Sequence, residues 1–514
     1  MSTDRIKKNA ALLALVISVA ATGCNGNVTS ATASIKNGTN GMAVNISEES
    51  ETAETDDTEN SSYEAIENSE DGEHAILADG ENASYSRVRV SKTGEAEGDE
   101  ADFYGDNSAI FATNGATLDL NNIEVNTNGT HANAVFSYGE GTTVNISDSV
   151  INTEGNCSGG LMTTGGGTMN AENLTIHTTG NSSAAIRSDR GGGTVNVTGG
   201  TYSTDGTGSP AIYSTADITV SDAELTSTAS EGIVVEGKNS VTLNNATVTA
   251  DNNKRNSDKA DNYKAVMIYQ SMSGDADEGK AEFTMNGGSL TNMNGDVFFV
   301  NNTVADIHLS KADIVNNGDG AFLKAAAAGW GNEGSNGGKV NLYTEEQKID
   351  GDITVDDISI LNFYLSDNSE FQGSINEDGK SGDVYVELTN GSKWILTGDS
   401  YISSLTCDQD SIDLNGHKLY VDGTEYSEGT LYSGESIEIK VESSGMNGQG
   451  KPGTPPDGKP GDGNTPPQGK PGDGGNPPEK PGDGGNPPEK PGDGNTPPQG
   501  KPGEFDNSTD KDSN

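Results

Sequence analysis

Arg187, Asp189 and Arg190 form the most compact basic and acidic cluster in the regular part of the chain. Proton-transfer chemistry there would need further carboxylates from neighbouring segments, and Asp217 and Asp222 are the candidates. Without them the cluster reads as a salt-bridged turn at the surface. The five histidines, His74, His131, His177, His308 and His417, stand apart, with neither H-E-x-x-H nor paired-ligand spacing. His177, between Ile176 and Thr178, is expected to point outward from a strand. Cys157 and Cys407 are too far apart for a mutual disulfide, and neither has a sequence neighbour that marks a nucleophile. There is no G-x-S-x-G elbow and no phosphate loop. No catalytic residue is therefore assigned. Trp330 and Tyr343 are the candidate binding residues, because aromatic faces suit sugar rings. The carboxylates are hard oxygen ligands and make calcium a candidate ion, but no EF-hand loop or glycine-rich calcium nonapeptide occurs.

The elements that must carry these residues repeat. Apolar triplets recur as Leu118/Leu120/Val125, Val144/Ile146/Ile151, Met169/Ala171/Ile176, Val195/Val197/Tyr202, Ile218/Val220/Leu225 and Val241/Leu243/Val248. After an interruption come Phe283/Met285/Leu290 and Ile307/Leu309/Ile314, then Ile353/Val355/Ile360 and Ile412/Leu414/Leu419. A second apolar motif precedes most units, as in Gly160-Leu161-Met162, Ala185-Ile186 and Ala211-Ile212-Tyr213. Alternation at i and i+2 is the period of a strand with one buried face. Gly, Asn, Asp and Thr fill the intervals, where corners need positive φ. One such unit cannot bury its apolar residues, whereas stacked units can.

A repeat of about 23–26 residues with short strands predicts an all-β fold, a single-stranded right-handed parallel β-helix of roughly 12 coils. β-Propeller blades are longer, and the leucine-rich consensus is missing. The array is expected over 81–445, with terminal coils or a β cap from about 380 to cover the open edge. Two expansions, Asn252–Lys259 with Gly274–Glu278 and Lys324–Gly331, predict loops on one face.

The flanks differ in composition. The stretch from Glu48 to Asp79 holds 13 acidic residues and no Lys or Arg, so 24–80 is expected to be a disordered acidic linker. Of the 17 prolines, all but Pro210 lie between Pro452 and Pro502, so 446–514 is expected to be a disordered Pro/Gly-rich tail. Acidic residues outnumber basic ones by 79 to 30, which argues against nucleic acid as a partner. At the other end, Arg5, Lys7 and Lys8 precede an apolar run, Ala10 to Ala21, and then Gly23-Cys24. This arrangement resembles the lipobox of bacterial lipoproteins, with Ala21 where leucine is usual. The resemblance implies a signal peptide over 1–23 and acylation of Cys24, with two or more chains anchoring the protein to a membrane.

The coils themselves resemble the right-handed β-helix surface proteins of bacteria, adhesin-like repeats and a clostridial family of cell-surface polysaccharide-binding β-helix proteins. The likeness covers about two thirds of the chain. It implies a lipid-anchored monomer on the extracellular face of the cell membrane, a noncatalytic adhesin or carbohydrate-binding protein. Its partner would be an extracellular polysaccharide or a host or cell surface, with no resident cofactor. The alternative is a polysaccharide lyase or glycoside hydrolase on the same scaffold. Lyases of this shape combine a basic residue with calcium-binding aspartates, which is what Arg187, with Asp217 and Asp222, would have to supply. No family active-site residue is carried over.

Overall fold

A computed structural model describes residues 63–98, 100–379 and 382–441. Cys24, the signal peptide and the tail over 446–514 lie outside these residues. The described chain is an all-β, right-handed parallel β-helix built from three long sheets. From Glu64 to Glu345 each coil contributes one strand to each sheet. In one coil these are Thr117–Asn121 in the third sheet, Glu124–Thr127 in the first and Val135–Tyr138 in the second. The next coil repeats the order with Thr143–Ser147, Val150–Thr153 and Leu161–Thr164.

The apolar triplets stack as their period requires. Leu120, Ile146, Ala171, Val197, Val220, Leu243 and Met285 are direct register partners in successive third-sheet strands. Val125, Ile151, Ile176, Tyr202, Leu225, Val248 and Leu290 form the matching column of the first sheet. Both columns are buried in one continuous core. Between the third and first sheets the chain turns on a residue with positive φ, among them Asn122, Asp148, Asn173, Asp222 and Asn245. Asn and Asp tolerate this left-handed conformation, and their side chains also link the corners. Asn173 Nδ2 donates to Asp148 Oδ1 at 2.7 Å, and Asn245 Nδ2 to Asp222 Oδ1 at 2.7 Å.

The frame of the last two triplets is different. Ile353 and Val355 belong to the second sheet and Ile360 to the third, while Ile412 and Leu419 lie in two smaller sheets. The third-sheet column there runs through Leu342, Phe363 and Val386. Longer strands shift the spacing, so a fixed pattern slips by part of a coil. At the C-terminal end the parallel order gives way to antiparallel pairs, Cys407 with Tyr432 and Val421 with Thr424. These short antiparallel strands cover the edge that a parallel array leaves open.

The N-terminal boundary needs correction. Glu64–Asn68 pairs in parallel with Val88–Lys92, and Ile76–Asp79 with Ile110–Thr113. The first coil therefore begins inside the stretch that charge density assigned to a linker ending at 80. Ile76 and Ala78 turn inward while Leu77 and Asp79 remain exposed, and the surrounding carboxylates masked that alternation.

Candidate active site

The site grows from the corner between the first and second sheets. Gly129, Gly155, Gly180 and Gly206 stack there in successive coils. A Cβ on Gly155 would overlap the Gly129 carbonyl oxygen, and one on Gly180 would overlap that of Gly155. Only glycine lets the coils approach so closely. Beside them runs a serine ladder: Ser158 Oγ donates to Gly129 O at 2.9 Å, and Ser183 Oγ to Gly155 O at 3.0 Å. Each Oγ also accepts a backbone N–H from the preceding coil, Ala132 N at 3.0 Å and Ser158 N at 2.9 Å.

Two positions after each glycine the backbone turns left-handed. The residues there are His131, Cys157, Ser182 and Gly208, with φ of 56°, 54°, 54° and 65°. His131 N bonds to Asn156 O at 3.0 Å and Cys157 N to Asn181 O at 2.8 Å, so the column is held in register. Chain segments 26 residues apart thus present an imidazole and a thiol side by side.

A third segment closes the group from outside. The chain after Val88–Lys92 does not pass directly to the second sheet but rises into a short helix, Glu100–Tyr104. Phe103 and Asp102 on this helix are buried against the outer face of the second sheet. Thr164 Oγ1 donates to Phe103 O at 2.7 Å, and the Arg190 guanidinium lies 3.8 Å from the centre of the Phe103 ring. Asp102 Oδ1 lies 3.0 Å from His131 Nδ1 and accepts from Asn133 Nδ2 at 3.4 Å. One ligating atom each from Asp102, His131 and Cys157 lies within 4.8 Å of the others. Asp102 and His131 are buried, and Cys157 is partly exposed.

Behind this triad sits Arg187, on the strand Ile186–Ser188. Its Nη2 donates to Asp102 Oδ2 and to Asp189 Oδ2, each at 3.0 Å. Burial alone disfavours every charge in this cluster. Burial would raise Asp102, but the Arg187 charge and hydrogen bonds from His131 and Asn133 outweigh it and hold this carboxyl below its usual range. Asp189 shares the same guanidinium but lacks the imidazole. Burial, with Asp275 and Asp102 nearby, pushes it up to about 7. Burial opposes the Arg187 charge as well, and the two aspartates overcome it and raise its pKa. The chain Asp189, Arg187, Asp102, His131, Cys157 therefore holds the imidazole in place from behind while one carboxyl keeps a proton near neutrality.

Arg187 and Asp189, which the sequence placed in a surface turn, are thus largely buried while Arg190 stays partly exposed, and the carboxylates that join them from other segments are not those expected. Asp102 and Asp189 flank Arg187, and Asp275 bonds Arg190 Nε at 2.9 Å. Asp217 is exposed on the third sheet, and Asp222 sits in the opposite corner bonded to Asn245. His131 and Cys157 are not isolated. The signal that could have found them was their shared place two residues after an aligned glycine. His177 does face outward, half exposed beside Asp205. Cys157 and Cys407 form no disulfide. Tyr343 is stacked between His308 and Tyr364, at 4.6 and 4.9 Å between ring centres, so both of its faces are already covered. Trp330 meets Tyr269 edge to face at 5.3 Å on the wall of a cleft. An ion at the triad would meet one oxygen, one nitrogen and one sulfur donor, a set suited to zinc-like ions rather than to calcium.

No protein-family model matches the chain, and neither a curated protein nor a solved structure does.

Proposed function

We propose that this protein is an enzyme acting on a surface polysaccharide, a lyase or glycoside hydrolase on a β-helix scaffold, in preference to a purely adhesive rod. The observation that carries the reading is the convergence of Asp102, His131 and Cys157 from three separate coil segments. A buried carboxylate–imidazole pair beside a thiol is a set of groups suited to acid–base work. In this reading Asp102 fixes the orientation of the His131 ring, and His131 takes or returns the proton at the sugar. Arg187 positions Asp102 and touches no substrate. The Gly23-Cys24 sequence supports an acyl anchor that would display the coils outside the cell.

The test is to incubate the full chain with a panel of surface and plant polysaccharides. Unsaturated sugar ends are followed by ultraviolet absorbance and new reducing ends by a colorimetric assay. Elimination gives both signals and hydrolysis only the second. Retention of every substrate intact, with binding preserved, would return the protein to the adhesin class.

A metal-holding use of the same three residues is the second reading, favoured by the mutual 4.8 Å limit on their ligating atoms. Metal analysis of the purified chain, with and without chelator and in Cys157→Ala, decides it. Stoichiometric zinc lost in the variant supports it, and metal-independent cleavage contradicts it.

A further inference from the structure

Beyond Arg187 the outer face of the second sheet continues through its register partners Tyr213, Val234, Met267 and Phe299. These outward positions are largely covered, in contrast to the solvated outer face of an ordinary coil. The insertion that follows Thr247–Ala250 and the loop carrying Trp330 meet over this face, where Gly329 N donates to Lys259 O at 2.6 Å. Residues of both segments line a cleft of about 90 Å³, with Tyr213, Val234 and Met267 also in its wall. Gly208, the next member of the His131, Cys157, Ser182 column, is on its rim. Coils are about 4.8 Å apart, so the cleft and the triad lie along one face, separated by a distance that one or two sugar units would span.

The charge of this cleft is opposite to that of the molecule, since Lys254, Arg255 and Lys264 line it against Glu231. The whole chain carries 79 acidic against 30 basic residues, yet 254–264 holds Lys254, Arg255, Lys259 and Lys264 against Asp258 and Asp261. Arg255 is paired with Asp261 at 3.0 Å, and Lys264 lies 4.0 Å from Glu231. Lys254 and Lys259 make no ion pair among the described residues. The Lys259 ammonium stands 5.7 Å from the centre of the Trp330 ring. An indole beside an uncompensated cation is a surface for a ring that carries negative charge. In a molecule with a formal charge of -49, a local basic patch is also what lets an anion approach at all.

We propose that this cleft is a subsite for an acidic sugar, with Trp330 lying against the ring, Lys254 of the lining meeting its carboxylate and Lys259, beside the indole and outside the lining, adding its charge. The identity of the ligand as a glycan rests on the polysaccharide reading above, but binding is measured separately from cleavage. The probe is an oligogalacturonate titrated into the full chain, with a maltooligosaccharide of equal length as the neutral control and a single-stranded oligonucleotide as the other polyanion. Trp330 fluorescence reports occupancy, since the second tryptophan, Trp394, is fully buried.

The expected result is binding of the acidic oligosaccharide that weakens with salt and falls roughly tenfold or more in Lys254→Ala/Lys259→Ala. His177→Ala, on the outer face of the first sheet, should bind like the wild type. Equal affinity for the neutral sugar, preference for the oligonucleotide, or unchanged binding in the lysine variant overturns the proposal. Binding without any cleavage removes the enzyme reading and leaves this one standing. Cleavage that survives in the lysine variant with unchanged KM does the reverse.

Discussion

Arg187 Nη2 lies 3.0 Å from Asp102 Oδ2, although the two residues are 85 positions apart in the chain. The bond ties the short helix Glu100–Tyr104 to a strand three coils further on, and so fixes the lid that carries Asp102 over His131. Removing one partner of a buried ion pair leaves the other uncompensated, which typically costs about 3–5 kcal/mol. Arg187→Ala should lower the midpoint of denaturant unfolding accordingly. Arg190→Ala, which loses a partly exposed pair with Asp275 and the contact with the Phe103 ring, should cost less, about 1–2 kcal/mol. Equal midpoints for the two variants would mean that the Arg187 pair does not hold the lid.

The two carboxylates on Arg187 make opposite contributions with pH. Asp189 is pushed up to about 7, so between about pH 4 and that value the folded chain holds a proton that the unfolded chain releases. Its stabilising contribution is complete at the acidic end and is lost as pH rises through 7. Asp102 is shifted down, so its contribution is present above the ordinary carboxylate range and lost on acidification. Urea midpoints measured across this range should therefore lose part of their decline towards neutral pH in Asp189→Asn. A variant that keeps the wild-type slope would show that Asp189 titrates normally.

The glycine ladder predicts a different failure. Gly155 is packed against the Gly129 backbone, and Gly180 against Gly155 in turn. Gly155→Ala must push two coils apart, at a cost of about 1–3 kcal/mol or more. Because Cys157 follows two residues later, the variant should lose activity further than its loss of stability explains. Thermal melting and turnover measured on the same preparation check this. A variant that melts and turns over like the wild type would show that the coils have room to spare.

Most of the fold was readable because a two-residue alternation repeated at nearly constant spacing leaves few ways to bury Leu120, Ile146, Ala171 and Val197. The acidic first coil was not, because Glu64, Glu67, Asp71 and Glu73 outweigh the few inward residues in any window. The site was harder. Asp102 lies in a segment that departs from the repeat, and His131 and Cys157 differ in type although they share one place in the coil. Only alignment on the corner glycines, Gly129 and Gly155, reveals that place, and the triplet pattern gave the corner no weight. Arg187 was found as a residue but not as a buried one, since burial depended on the distant helix that roofs it.

In the proposed reaction it is the buried His131–Asp102 pair, and not merely any His–Asp pair, that performs the chemistry. His177 beside Asp205 at 3.3 Å is a natural control on the exposed face of the first sheet. The rate of product formation from a cleaved polysaccharide should fall about 10²–10⁴-fold in His131→Ala, with circular dichroism unchanged, and stay at the wild-type rate in His177→Ala. A folded His131→Ala variant that turns over like the wild type would contradict the account.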